Sequence, residues 1–128
     1  MKEIMAIIRM DMINKTKDAL LKEDFPSFHC KKVMGRGKKK VDYSLLEGLI
    51  GENERTLSPM LAEVISEGHR LLPKRLISLI VQDDQVKKAV DIIINTNSKG
   101  NQGDGKIFVL PVAETIRVRT GESGDEAV

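Results

Sequence analysis

Residues 74–112 read KRLISLIVQDDQVKKAVDIIINTNSKGNQGDGKIFVLPV, and the order of patterns inside this stretch decides the fold. The apolar run 74–81 predicts a strand, and Asp83-Asp84 is placed to cap the next element. Val86, Ala89, Val90, Ile93 and Ile94 then recur at the 3.6-residue period of a helix over 85–95. A glycine loop comes next, and a second strand runs over 106–112, with Pro111 near its end, where a ladder donor can be spared. This is a strand-helix-strand unit with a glycine-rich turn at the helix-to-strand joint.

The N-terminal half repeats the order. Ile4, Met5, Ala6, Ile7 and Ile8 form a short apolar run that predicts a strand over 3–9, covered on both faces. Asp11 is the expected N-cap of a helix over 12–23, whose turns are marked by Met12, Thr16, Ala19, Leu20 and Glu23, with Pro26 as its stop. A weaker strand over 28–34 leads into Gly35-Arg36-Gly37 and then Lys38-Lys39-Lys40. Beyond the quoted stretch, 115–119 reads as a last short strand and 121–128 as an acidic tail expected to fray.

Two strand-helix-strand units in tandem predict an α+β ferredoxin-like fold, split β-α-β (βαββαβ), with four antiparallel strands and both helices on one face. The strands are apolar on both faces, so the face without helices is expected to be buried by association. Between the units lies a long excursion, 38–72, far beyond ordinary loop length and therefore expected to be functional. It holds two short helical patterns, 44–50 and 58–67; in the second, Ser58 can cap, Pro59 takes the first turn, and Met60/Val64 and Leu61/Ile65 pair at i, i+4. Packing of a local helix accounts for that stripe better than partner binding does.

Composition narrows the class. At 128 residues the chain is most simply one domain, 1–128. It is 41% apolar but only 3% aromatic, so its core must be aliphatic. The net charge of +2 is local, with bases crowded into 31–40 and acids into 122–126, and is no nucleic-acid-scale field. A single cysteine, Cys30, rules out an internal disulfide and suits a reducing compartment; with His29 and His69 it makes too scattered a set for structural zinc. Neither an apolar run of about 18 residues nor a signal-peptide pattern is present, so a soluble, cytoplasmic protein is expected.

The chemistry gathers in 100–120. Glycines let backbone N–H groups approach an anion, and successive N–H groups in a tight turn make an anion-binding nest. Lys106 and the pair Arg117 and Arg119, same-face if 115–119 is a strand, would supply countercharge. These elements point to a polyphosphate held by loops at strand ends. Gly100-x4-Gly105-Lys106 imitates a Walker A loop, but Ile107 stands where Ser/Thr belongs and the strand follows rather than precedes. Taken singly, the glycines could serve only the turn and the arginines only a solvated face; their coupling favours the anion site. The basic run 31–40 divides evenly between a solvated face and a ligand-facing cluster.

AIIR near the start, G-x-G before the excursion, PK opening the third strand, DD before the second helix, then GDGKIFV and IRVRTGE together resemble the PII family of nitrogen-signalling proteins. The likeness runs from Lys2 to Glu122 outside the excursion. It implies a homotrimer in which the excursion is the T-loop, and a regulator rather than an enzyme. It also implies ATP or ADP in each cleft between subunits, with Gly35, Gly37, Lys38, Gly103, Asp104, Gly105 and Lys106 along the phosphates. Arg117 and Arg119 would close from the neighbouring chain, and Ile7 and Ile80 would flank the adenine. Lys39 replaces the glutamine that helps such proteins hold Mg²⁺ and 2-oxoglutarate, which leaves a Mg²⁺-bridged mode open; Lys39 and Lys74 could instead pair the dicarboxylate directly. Ser78 stands where a carboxylate is usual, and Tyr43 does not match the modified tyrosine of enterobacterial members. RGKKKVDYSLL and EGHRLLPKR are most similar to the second of the paired PII-like proteins encoded beside nitrogenase genes in methanogenic archaea, which implies nitrogenase as the target and leaves pairing with a sister protein open.

Two other classes compete. An RNA-binding module shares the fold, but such sheets stack bases on exposed aromatics, and this chain has three Phe and one Tyr. An enzyme of this fold would need a legible Ser/His/Asp, Cys/His or paired-carboxylate set, and none is present.

Overall fold

The computed structural model describes residues 1–38 and 71–128. The helical patterns at 44–50 and 58–67, with Lys39, Lys40 and Tyr43, lie outside the described residues. The elements are β1 (Lys2–Arg9), α1 (Ile13–Lys22), β2 (His29–Gly35), β3 (Leu72–Val81), α2 (Val86–Asn97) and β4 (Gly105–Pro111). All four strands pair antiparallel in the order β2-β3-β1-β4, so the ferredoxin-like expectation holds, with strand bounds within two residues of those read from the pattern.

Strand alternation divides β1 and β3 cleanly. Ile4, Ala6, Ile8, Ile77, Leu79 and Val81 are buried against Met12 and Leu20 on the α1 side and Ala89 and Ile93 of α2. Each fully buried aliphatic side chain contributes about 1.5–3 kcal/mol from apolar burial. Thr16 and Asn97 cross this layer as a polar contact: Asn97 Nδ2 donates to Thr16 Oγ1 at 3.0 Å, and Thr16 donates to the Met12 carbonyl at 2.7 Å.

Among the described residues no helix covers the other sheet face. Residues opposite one another across antiparallel strands share a face. The rows His29–Ser78–Met5–Phe108 and Lys31–Leu76–Ile7–Lys106 therefore lie on this open face, with Ile80, Glu3 and Leu110 beyond them. Met5, Ile7, Leu76 and Ile80 are half-buried, and Phe108 and Leu110 are exposed. The aliphatic character read from the sequence is thus displayed on a surface.

The helix boundaries correct three expectations. Asp11 does not cap: it lies inside a 3-10 turn, Met10–Met12, that precedes α1, and no side chain caps that turn. Pro26 does not end α1 either. Asp24 takes a left-handed conformation (φ 65°), Asp24 N–H donates to Leu21 O at 3.3 Å, and Phe25 N–H donates to Leu20 O at 2.9 Å. That is a Schellman stop, sealed by apolar Phe25 and Leu20. Before α2, Gln82 N–H donates to Gln85 Oε1 at 3.3 Å, while Asp83 pairs with the N-terminal ammonium at 2.9 Å instead of capping. The ammonium's hydrogen bond and charge hold the Asp83 carboxyl below its ordinary range.

Residues 115–119 form no strand. A single bridge joins Ile116 to Ser123, and Arg117 N–H donates to Glu122 O at 2.8 Å. In the described chain the segment pairs with no strand of the sheet but with its own continuation, turning at Gly121 (φ 73°). The acidic tail forms a 3-10 turn, Gly124–Ala127, held to the body by Gln82 Nε2 donating to Asp125 O at 2.8 Å.

Candidate functional site

The loop between α2 and β4 is organised by Asp104. One carboxylate oxygen accepts from the Lys99 and Asn101 backbone N–H groups at 2.7 and 3.1 Å. The other accepts from Arg9 Nη1 at 2.5 Å, and Arg9 Nη2 reaches the Gln102 carbonyl at 3.5 Å. Donors on every side, the Lys99 N–H foremost and then Arg9 and Asn101, outweigh desolvation and pull the Asp104 carboxyl down to about 2. Asp104 was expected to line phosphates. In this structure its carboxylate faces the loop's own donors, as suits an anionic group that would repel a phosphate.

Gly103 (φ 95°) and Gly105 (φ 128°) hold backbone conformations that side chains rarely adopt. At Gly105 the constraint is also steric: a Cβ would sit 2.3 Å from the Ile7 carbonyl oxygen. The loop therefore lies directly on β1. Lys106 comes next, on the open face opposite Ile7. It makes no ion pair among the described residues, so its ammonium is available to a ligand.

The remaining candidates fall into two groups. Gly35, which pairs with Leu72, lies at the same end of the sheet as Gly105, which pairs with Ile8. Gly37 and Lys38 come shortly after Gly35, and Lys74, opposite Arg9, belongs to the same end. However, β2 and β4 are opposite edges of the sheet, so Gly35 and Gly105 stand three strand spacings apart, about 14 Å. A Cβ on Gly35 or Gly37 would meet nothing within 4 Å in this chain.

Ile80, Arg117 and Arg119 belong to the other end. Ile80 lies opposite Glu3, four residues along β3 from the partner of Ile7, about 13 Å away. Arg117 sits in the C-terminal turn, which is tied to the start of β1 through Thr115 Oγ1 and Met1 Sδ (2.7 Å) and to the entry of α2 through Gln82. The six-residue step from Gly105 to Pro111 alone spans about 20 Å, so the arginine turn cannot reach the Lys106 loop of its own chain. Nor do Arg117 and Arg119 form the expected same-face pair, because they occupy a turn rather than a strand. Arg117 Nη1 pairs with Glu122 Oε2, and Nη2 donates to the Glu126 carbonyl at 2.7 Å. Arg119 is exposed.

Ser78 donates to Glu3 Oε1 at 2.6 Å, so β1 supplies a carboxylate beside the position where the resemblance expects one on β3. Sequence reasoning missed Arg9 and Glu122 as site residues. Arg9 meets Asp104 across 95 positions, and no local pattern signals such a contact. A cleft of about 440 Å³ opens between α2 and β4, lined by Ile8, Val90, Ile93, Ile94, Ile107 and Val109 together with Asn97, Ser98 and the loop residues Asp104, Gly105 and Lys106. Most of its wall is apolar, and its polar part comes from the end of α2 and the glycine loop. Among the described residues no His/Cys/Asp/Glu group could hold a metal ion, and no helix is long and apolar enough to cross a membrane.

Comparison with known proteins matches residues 1–122 to the family model described as nitrogen regulatory protein P-II. The "nitrogen fixation nifHD region GlnB-like protein 2" of Methanothermobacter marburgensis is 42% identical over the whole of both chains. The protein of that name from Methanothermococcus thermolithotrophicus is 43% identical over all of this chain and 98% of its own. A solved structure of Arabidopsis thaliana PII bound to citrate is 31% identical, with a TM-score of 0.70, and covers 99% of this chain and 91% of that one.

Proposed function

The chain belongs to the nitrogen regulatory protein P-II family, and from that premise we propose that it binds ATP or ADP in clefts between its own copies and reports nitrogen status to a target enzyme through the excursion 38–72. It is a signalling regulator and not an enzyme. One observation carries the inter-copy reading: the candidate ligand groups lie at opposite ends of one sheet. Gly103, Gly105, Lys106, Gly35, Gly37, Lys38 and Ile7 lie at one end, and Ile80, Arg117 and Arg119 at the other. A heterologous interface brings one end of a protomer to the other end of its neighbour, and closing such contacts into a ring gives a homotrimer. The open aliphatic face supplies the surface for that ring.

The effector reading is 2-oxoglutarate, held near Lys74 and Lys39, with Mg²⁺ as a candidate bridge. The citrate complex of a related PII protein supports a carboxylic acid effector. The nifHD-region names of the relatives support nitrogenase as the target and a sister protein as a further partner. We take 1–128 as one domain acting in the cytoplasm, with 121–128 as its terminal segment.

Subunit complementation tests the reading. Lys106→Ala and Arg117→Ala should each weaken ATP binding, and refolding the two variants together should restore wild-type affinity at about one interface in four, where an intact Lys106 face meets an intact Arg117 face. No recovery in the mixture, with ATP bound by the wild type, would place both groups in one chain and overturn it.

A further inference from the structure

Arg117 already holds an anion. Its Nη1 pairs with Glu122 Oε2, its Nη2 donates to the Glu126 carbonyl at 2.7 Å, and Thr120 Oγ1 donates to the same Glu122 oxygen at 3.0 Å. A guanidinium presents the same planar fork to a carboxylate as to a phosphate, so the two compete for it directly. We propose that Glu122 is a specificity-determining residue: it occupies Arg117 in place of a ligand phosphate and admits only an anion strong enough to displace a carboxylate. The inference rests on the nucleotide reading of the previous subsection.

The turn is built for such an exchange. The backbone is held independently of the ion pair, by Arg117 N–H on Glu122 O at 2.8 Å and Gly121 N–H on Arg117 O at 2.7 Å, so the side chains can part without unfolding it. Both side chains are accessible, at 36% and 45% exposure, so a ligand can reach the pair from solvent. A solvent-screened ion pair is weak. A terminal phosphate carrying nearly two charges can therefore displace Glu122, whereas a nucleoside monophosphate whose single phosphate does not extend to Arg117 gains nothing from it. Glu122 thus lowers the affinity only of chains that reach Arg117 and narrows the gap between long and short phosphate chains.

The experiment is calorimetric titration of the full-length wild type and Glu122→Gln with ATP, ADP and AMP, repeated on an Arg117→Ala background. Glutamine keeps the shape and removes the charge. The expected result is ATP and ADP binding tightened up to about fivefold in Glu122→Gln, AMP unchanged, and no effect once Arg117 is gone. Equal affinities for all three ligands in wild type and variant, with ATP bound by both, would overturn the role of Glu122 and leave the site intact. Weaker ATP binding in Glu122→Gln would also overturn it, by making Glu122 an aid to Arg117. No ATP binding by the wild type would overturn the nucleotide reading and this inference together.

Discussion

Arg9, the last residue of β1, donates to Asp104 at 2.5 Å and so fastens the glycine loop to the strand it lies against. Because Asp104 also collects the Lys99 and Asn101 N–H groups, one carboxylate sets the path of residues 99–104. The loop's path is thus fixed by contacts within the chain.

The brace should depend on pH in a defined direction. The Asp104 carboxyl is pulled from its ordinary 3.8 to about 2, chiefly by the Lys99 N–H and then by Arg9 and Asn101. A depressed carboxyl contributes stability above its unfolded value and loses it as pH falls through its folded one. The loop should therefore remain ordered at pH 5 and loosen between about pH 4 and pH 2. Solvent exchange of the Lys99 and Asn101 amides measures this, and in Asp104→Asn both should exchange faster at every pH. Equal protection of these amides in the variant at pH 6 would show that the carboxylate braces nothing.

Two glycines of the candidate site should respond differently to alanine. Gly105→Ala places a Cβ 2.3 Å from the Ile7 carbonyl oxygen at φ 128°, so it should cost about 1–3 kcal/mol or more and shift the denaturation midpoint. Gly35→Ala meets nothing within 4 Å and should change stability by less than about 0.5 kcal/mol. If Gly35 faces phosphate, the same variant should still weaken ATP binding. A folded Gly105→Ala with wild-type stability would contradict the close approach.

The open face should hold the protein's copies together. Leu76→Asp or Phe108→Asp puts an unpaired charge among Met5, Ile7 and Ile80, where burial of an isolated charge is costly. Light scattering at micromolar concentration should give a trimer for the wild type and monomers for the variants. A wild-type monomer at that concentration would remove the basis for the inter-copy site.

Ligand binding should alter the excursion, because both its roots lie at one end of the sheet. Gly35 pairs with Leu72, and Lys74 is two residues further on, so a ligand near these residues touches both roots at once. Excursion arrangements that separate the roots would lose those contacts, and a ligand shifts an equilibrium only by such a difference. Limited proteolysis across 41–70 should then differ between the free protein, ATP alone, and ATP with 2-oxoglutarate. Identical cleavage in all three, with ATP demonstrably bound, would separate binding from output. Losing one charge-assisted bond at Lys106 or Arg117 should cost about 1.5–3 kcal/mol, roughly ten- to a hundredfold in affinity by titration.

Short-range patterns were enough for the elements and for the fold. The apolar run 74–81, the 3.6-residue stripe from Val86 to Ile94 and the repetition of strand-helix-strand are local signals, and the elements of the structure follow them. The glycine loop was legible for the same reason, since positive φ at Gly103 and Gly105 is a property of single residues. Contacts between distant positions were not legible. The resemblance marks Asp104 as a phosphate-lining residue, whereas its contact with Arg9, 95 positions away, which fastens the loop to β1, has no local signal. Residues 115–119 carry a strand's composition, yet which partner a segment pairs with is decided by the tertiary structure, and here Arg117 turns onto Glu122 rather than onto the outer edge of β4. The separation of Lys106 from Arg117 likewise comes from strand direction: β4 carries the chain from one end of the sheet to the other, so residues close in sequence come to serve opposite ends.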